Sequence, residues 1–279
     1  MTPTPRALRT RWAVARLHRA GTATGEPARG NRPVQAMGLA FPAPIGLAAG
    51  FDRHGRLLEC AHRLGFGAVE LGTHTAANDV AGLPRPMLPP KPADRTLRRG
   101  VSIGRAAGLD WAHAEADYLR ALRAFHARAD YLTLNPGHDC PSPARFVDVA
   151  AAVVEARDRL VRHRRRALAI VVKLPTRWLG DAERVAAAFA GSGADGLLVS
   201  AEGARSRAGV HACLARLAEV AGPRLCLISV GGVDSVREAE ARLRAGATLV
   251  QIHRGLLTHD PSLVRALQRR YAGGGRAGR

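Results

Sequence analysis

Aromatic side chains are scarce in this chain, only 4% of 279 residues, so Ala, Val and Leu must supply most of any core. Lysine is scarcer still: Lys91 and Lys173 are the only two, and arginine carries nearly all of a net charge of +19. Such a charge would ordinarily suggest a nucleic-acid partner. Here the arginines are scattered through helix-like segments with no aromatic residues interleaved, so none is expected. The densest basic run, Arg162-His163-Arg164-Arg165-Arg166, reads as a solvated helix end facing the last carbonyls of the helix. The four cysteines, Cys60, Cys140, Cys213 and Cys226, stand far apart and form no metal-type pair. They fit reduced thiols in a cytoplasmic setting. No apolar run reaches the roughly 20 residues of a membrane span. The basic N-terminus also lacks the apolar stretch of a secretory signal.

What the chain does contain is an alternation. From residue 44 onward, short β-branched runs alternate with stretches rich in Ala, Leu and Arg, the pattern of repeated βα units around a parallel sheet. The expected strands are 44–50, 68–73, 100–104, 131–135, 169–174, 196–200, 226–232 and 249–255. Helices are expected between them, among them 113–129 and 181–193, the second opened by Asp181 and closed near Gly191. An open doubly wound sheet commonly carries a G-x-G-x-x-G fingerprint after its first strand, and none follows here. Eight strands in about 250 residues instead predict a closed (β/α)8 barrel, the TIM-barrel fold, with a short N-terminal helical extension. The division expected is 1–36 for an amphipathic helix and linker, 37–270 for the barrel and 271–279 for a disordered tail. Residues 6–19 carry Leu8, Trp12 and Leu17 among basic residues, which suits either a helix lying at a membrane interface or one capping the bottom of the barrel. Residues 74–99 hold five prolines and cannot form a long helix, so they read as a long loop.

In such a barrel the chemistry sits where strands end. Those positions include Ala49, Gly50, Asp52 and Arg53, then Thr73, Asn135, Lys173 and Ser200, and last Gly231, Gly232, His253 and Arg254. The Ser229–Ser235 segment closes the seventh strand, and its two glycines let the main chain approach an anion, although a tight turn would need them too. Lys173 stands out because arginine is the default cation of this chain. A compact ammonium at a strand end suits an electron-rich ring edge, or simply reaches solvent.

Five blocks in order now carry a resemblance. MGLAFPAPIGLAAGFDRHG (37–55), LGFGAVELGTHT (64–75), VVKLP (171–175), ISVGGVDS (228–235) and AGATLVQIHRGLLTHDPSLVRAL (245–267) resemble the dihydroorotate dehydrogenases, specifically the membrane-associated class that uses quinones. The resemblance implies FMN as cofactor, dihydroorotate as substrate and a role in pyrimidine biosynthesis. It also implies a quinone acceptor and peripheral contact with the inner face of a membrane through residues 6–19. By carry-over, Ala49, Gly50, Asp52, Thr73, Asn135, Lys173, Ser200, Gly231, Gly232, His253 and Arg254 fall on cofactor-contacting positions.

The chain departs from the family where the substrate would sit. Arg53 stands in place of the family's Lys and keeps a cation there for a small anionic substrate, with Asn135 as a second substrate contact. The loop after the fourth strand reads Asn135-Pro136-Gly137-His138-Asp139-Cys140-Pro141, where the family places its base. His138 aligns with that base and has a suitable intrinsic pKa. Cys140 serves as the alternative if its thiolate is favoured. The sixth strand ends in Ser200-Ala201-Glu202, where the family has Thr-Asn-Thr. Two readings stay open at this point: an active flavin oxidoreductase, or a diverged flavin-binding scaffold of the same fold.

Overall fold

The structure, a computed structural model, describes residues 4–23, 33–76, 97–162, 168–258 and 262–271. Most of the proline-rich loop, most of the basic run after Arg162 and the C-terminal tail lie outside the described residues. Eight strands form a closed parallel barrel: β3 (Ile45–Leu47), β4 (Ala68–His74), β5 (Arg98–Gly104), β6 (Tyr131–Asn135), β7 (Ala169–Leu174), β8 (Gly196–Ser200), β9 (Cys226–Val230) and β10 (Leu249–Ile252), with β10 closing onto β3. All eight segments expected from the sequence are barrel strands. Their interiors are almost wholly buried, as expected of parallel strands packed on both faces. Three of them stop short of their expected ends. For β3 and β9 the cause is local: Gly50, Gly231 and Gly232 have positive φ angles of 85°, 92° and 72°, which turn the chain out of the sheet.

The helices α2 (Ala114–Phe125), α3 (Pro143–Val161), α4 (Ala182–Gly191), α5 (Arg207–Ala221) and α6 (Val236–Arg244) pack around the barrel. Serines start three of them. Ser142, Ser206 and Ser235 each accept a hydrogen bond from a backbone amide three residues on, at 3.2, 3.0 and 3.2 Å. Asp181 holds the corresponding place before α4 but does not cap it; its carboxylate accepts instead from Arg184 Nε at 2.6 Å.

Two features differ from the sequence reading. A two-stranded antiparallel hairpin, β1 (Val34–Ala36) and β2 (Leu39–Phe41), precedes the barrel and begins inside the stretch read as a linker. Its turn, Met37–Gly38, has positive φ at both residues, 54° and 69°, the geometry of a tight hairpin. Leu39 and Phe41 pack with Tyr131, Ala68, Ala169, Val171, Leu198 and other residues from the start of the barrel strands, so the hairpin plugs the bottom of the lumen. The second feature is α1 (Pro5–Ala23), which does not cap the bottom. That end is already filled by Phe41, and the narrow apolar face Ala13, Val14 and Leu17 packs instead against the 61–64 turn and the short α7 (Gly255–Thr258). There Arg16 Nη2 donates to the carbonyl of Leu256 at 3.3 Å. The helix therefore lies over the C-terminal mouth of the barrel, while Leu8 and Trp12 remain 42% and 71% exposed on its outer side.

Phe41 is completely buried in the plug. Phe41→Ala is expected to destabilise the protein by about 3–5 kcal/mol, the usual cost of emptying a phenylalanine site in a core. A shift of the denaturation midpoint in urea checks this; an unchanged midpoint would mean the hairpin adds nothing to the core.

Candidate active site at the barrel mouth

A cavity of about 1030 Å³ opens at the C-terminal ends of β3 and β7–β10 and is roofed by Thr4, Ala7, Thr10, Arg11 and Val14 of the N-terminal segment and α1. Ten of the residues expected from the sequence line it. Ala49, Gly50, Asp52 and Arg53 come from the loop after β3, and Lys173 and Ser200 from the ends of β7 and β8. Gly231 and Gly232 follow β9, and His253 and Arg254 follow β10. Gly50 and His253, far apart in the sequence, thus meet because the barrel closes β10 onto β3.

The loop after β3 is held rigidly from within. Asp52 is buried and accepts from the amides of Arg56 at 3.0 Å and Leu57 at 2.7 Å. Burial pushes its carboxyl above the usual carboxylate range, against the pull of those amides. The Asp52 side chain is therefore spent on the loop itself. On the other side His74 Nε2 lies 3.1 Å from the carbonyl oxygen of Arg53, tying the loop to the end of β4. Opposite the loop, the ring of His253 meets Phe51 edge-on at 5.9 Å.

Beneath the cavity a polar layer crosses the lumen. Glu70 on β4 is fully buried and accepts from Gln251 Nε2 on β10 at 2.7 Å. Burial pushes the Glu70 carboxyl up; the hydrogen bond from Gln251 and the charge of Lys173 pull it down. Lys173 is half-buried and faces the cavity above this layer.

Four expected residues do not line the cavity. Thr73 and Asn135 form a separate hydrogen-bonded set at the ends of β4–β6. Asn135 Nδ2 donates to Thr73 Oγ1 at 3.0 Å, and Thr73 Oγ1 lies 3.0 Å from Ser102 Oγ. His138 and Cys140 sit beyond them on the loop after β6. That loop is pinned by an ion pair between Arg105 and Asp139 and by Arg177 Nη2 donating to the carbonyl of Gly137 at 2.8 Å. His138 is exposed, whereas Cys140 is buried. Burial pushes the Cys140 thiol up to about 11, and Sγ donates to the Ser142 carbonyl at 3.5 Å, so it stays a thiol at neutral pH.

The sequence reading missed two contributors. The first is α1, whose amphipathic pattern signals a covered face without saying what it covers. The second is Glu202, visible beforehand only as a departure from the family's pattern. It lines the cavity, and its carboxylate accepts from Arg254 Nη2 at 2.8 Å. Among the described residues no cluster of His, Cys, Asp and Glu suits a metal ion.

No protein-family model matches the chain. Individual relatives do. The dihydroorotate dehydrogenase (quinone) of Flavobacterium lutescens is 32% identical over 286 residues, covering 83% of this chain and 81% of its own. That of Chromobacterium violaceum is 30% identical, covering 89% and 87%. Among solved structures, the DHODH of Eimeria tenella in complex with ferulenol superposes with a TM-score of 0.79 at 18% identity, covering 98% of this chain and 94% of that one. Its ligand-free form gives a TM-score of 0.77 at 20% identity, covering 94% and 93%. The structural likeness carries the fold, the sequence likeness carries the kinship, and together with a cavity built from the expected strand ends they lead to one conclusion: the chain belongs to the quinone-dependent dihydroorotate dehydrogenase family.

Proposed function

We propose that this protein is an FMN-dependent oxidoreductase that oxidises dihydroorotate to orotate in pyrimidine biosynthesis and passes the electrons to a quinone. The observation that carries the reading is the meeting of Lys173 with the Gly231–Gly232 turn on the wall of one cavity. A flat ring with a phosphate tail needs a cation at one end and an open main-chain cradle at the other. A Cβ built on Gly231 would lie 2.8 Å from the amide nitrogen of Glu202, so nothing larger than glycine fits that cradle. The cavity is also large enough for the cofactor and a small partner. These residues fit FMN: the glycine turn would take its phosphate, Ala49 and Gly50 would pack along the ring, and Lys173 would sit near its electron-rich edge.

Bound FMN would supply the hydride acceptor. The chain itself must then bind an anionic substrate, keep water away and take up a proton. Arg53 and Asn135 are the residues we assign to the substrate, Arg53 because it brings a guanidinium to the cavity wall where a carboxylate can be held in bidentate fashion. We assign the proton to His138 rather than Cys140. The imidazole is exposed on the rim loop, while the buried thiol has neither the ionisation nor the freedom to act. For the quinone, the route favoured is beneath α1, whose underside roofs the cavity and whose outer side presents Leu8 and Trp12 among arginines. Among the described residues no helix is long and apolar enough to cross a membrane. The relatives' activity favours an enzyme over a scaffold of the same fold.

The direct test is to add dihydroorotate without oxygen to the FMN-loaded protein and follow the visible flavin absorbance. Bleaching supports the reading, and a spectrum that stays yellow removes dihydroorotate as the substrate. Lys173→Ala is expected to slow that bleaching by on the order of 100-fold or to empty the protein of FMN, the scale on which a single charge-stabilising group acts. His138→Gln is expected to slow it by about 100-fold or more with FMN content unchanged; full-speed bleaching would rule out His138 as the base. The pair Leu8→Ala and Trp12→Ala is expected to lower sedimentation with anionic phospholipid vesicles severalfold, and unchanged sedimentation would rule out α1 as the contact.

A further inference from the structure

The ion pair between Glu202 and Arg254 occupies an unusual place in the barrel. Glu202 lies two residues beyond β8 and Arg254 two residues beyond β10, and β9 runs between those strands. A contact between the two side chains must therefore pass over the end of β9, where Gly231 and Gly232 turn. Gly231 packs directly on the backbone of Glu202, since a Cβ there would meet Glu202 N at 2.8 Å and Ala201 C at 3.0 Å. All four residues line the main cavity. The carboxylate of Glu202 thus bridges the cradle where an incoming anion would lie.

Two other arginines near the turn, Arg242 and Arg207, also have acidic partners, but those partners stand behind it. Arg242 is fully buried and donates to Glu238 Oε1 at 2.6 Å, Ser229 Oγ at 2.7 Å and the carbonyl of Gly231 at 3.1 Å. It is a fixed strut under the glycine turn. Arg207 pairs with Asp234 at 2.6 Å on the rim of an adjoining recess of about 310 Å³, which Arg254 also lines. Glu238 and Asp234 belong to α6 and its approach and do not reach the main cavity. Glu202 is the acid that does. Its side chain and that of Arg254 are 56% and 62% exposed, so the pair is a weak, solvated one that can separate without stranding a buried charge. A phosphate monoester offers the guanidinium a stronger, bidentate, doubly charged partner.

We propose that Glu202 is an internal competitor for the cofactor's phosphate: it engages Arg254 across the glycine turn until a phosphate monoester arrives, whereupon Arg254 changes partner. This deepens the FMN assignment and rests on it for the identity of the ligand, though not for its phosphate chemistry. Glu202 then makes the site selective in two ways. Weaker anions such as carboxylates gain little by displacing it, because they replace like with like. A phosphate must overcome the repulsion of a carboxylate left nearby, so the cofactor is held less tightly than the arginine count would suggest.

The test compares the full-length protein with Glu202→Gln, which keeps size and hydrogen bonding and removes the charge. Binding of FMN and riboflavin is followed by quenching of flavin fluorescence, and binding of inorganic phosphate by thermal shift of the flavin-free protein. The expected result is FMN and phosphate affinity raised by about threefold to tenfold in the variant, with riboflavin unchanged. Glu202→Ala should change affinity in the same direction. FMN and phosphate affinities equal to or weaker than wild type in both variants would overturn the proposal, and so would a gain shared equally by riboflavin. If phosphate binds more tightly in the variants while neither flavin binds to any form of the protein, the competition stands and the FMN assignment fails.

Discussion

The lumen of the barrel is filled from below and left open above, and the site depends on where that filling stops. An eight-stranded barrel has an interior that side chains can close completely in stacked layers. Here the lowest layers are supplied by Phe41 of the hairpin and by Tyr131, Val171, Leu198 and Ile228 of the strands. Above them lies the Glu70–Gln251 layer, bonded across the lumen from β4 to β10. Above that layer the inward positions turn small or polar, and the space they leave is the cavity. A polar layer at this depth is costly unless its members satisfy one another. The Gln251 amide donating to Glu70 and lying 3.5 Å from the Tyr131 hydroxyl does so here. That layer is thus a hydrogen-bonded partition above the apolar plug, with Lys173 lining the cavity beyond it.

The charge of the mouth follows from which side chains are already engaged. Arg11, Arg53, Arg56, Lys173 and Arg254 line the cavity. Against them stand two acids, Asp52, whose carboxylate is turned onto backbone amides, and Glu202, paired to Arg254. Converging cations over low-dielectric walls draw anions in. The surface arginines of the helices are of a different kind: many sit in local pairs with acids, as in Arg159 with Glu155 and Arg184 with Asp181. The positive side chains therefore include a solvated, locally paired population on the helices and a second one lining the mouth.

Much of the fold could be read from the sequence, for a physical reason. Barrel strands are buried on both faces, so several contain unbroken apolar runs such as Ile170–Val172 or Leu197–Val199, and helical stretches between them complete the period. Strand ends then named ten of the cavity's residues. The hairpin escaped because its turn uses Met37 at positive φ, a residue that gives no turn signal. The placement of α1 escaped because an amphipathic pattern fixes which face of a helix is covered but not by which end of a barrel. His138 and Cys140 were singled out together by alignment along the chain, and only three dimensions separate them: Arg105 and Arg177 pin their loop with His138 exposed and Cys140 buried. Glu202 carries no motif at all. Its position matters because of what passes beneath it.

The walls of the cavity have a common construction that explains how short loops can hold a precise site in a chain with so few aromatic residues. Each functional loop is tied down by a polar side chain reaching from the scaffold or folding back on the loop. Asp52 gathers the amides of its own loop, and His74 from β4 meets the Arg53 carbonyl. Thr176 donates to the carbonyl of Ser200 at 3.0 Å, steadying the segment that leads to Glu202. Arg242 from α6 holds the Gly231 carbonyl. In every case the anchor engages main chain and leaves the side chains of Arg53, Glu202 and Arg254 exposed at the mouth. Backbone geometry is thereby fixed while the charged tips reach solvent. A site built in this way can change which ions its arginines face without disturbing the barrel, so residues at the mouth can depart from the family's pattern while the skeleton beneath them stays intact.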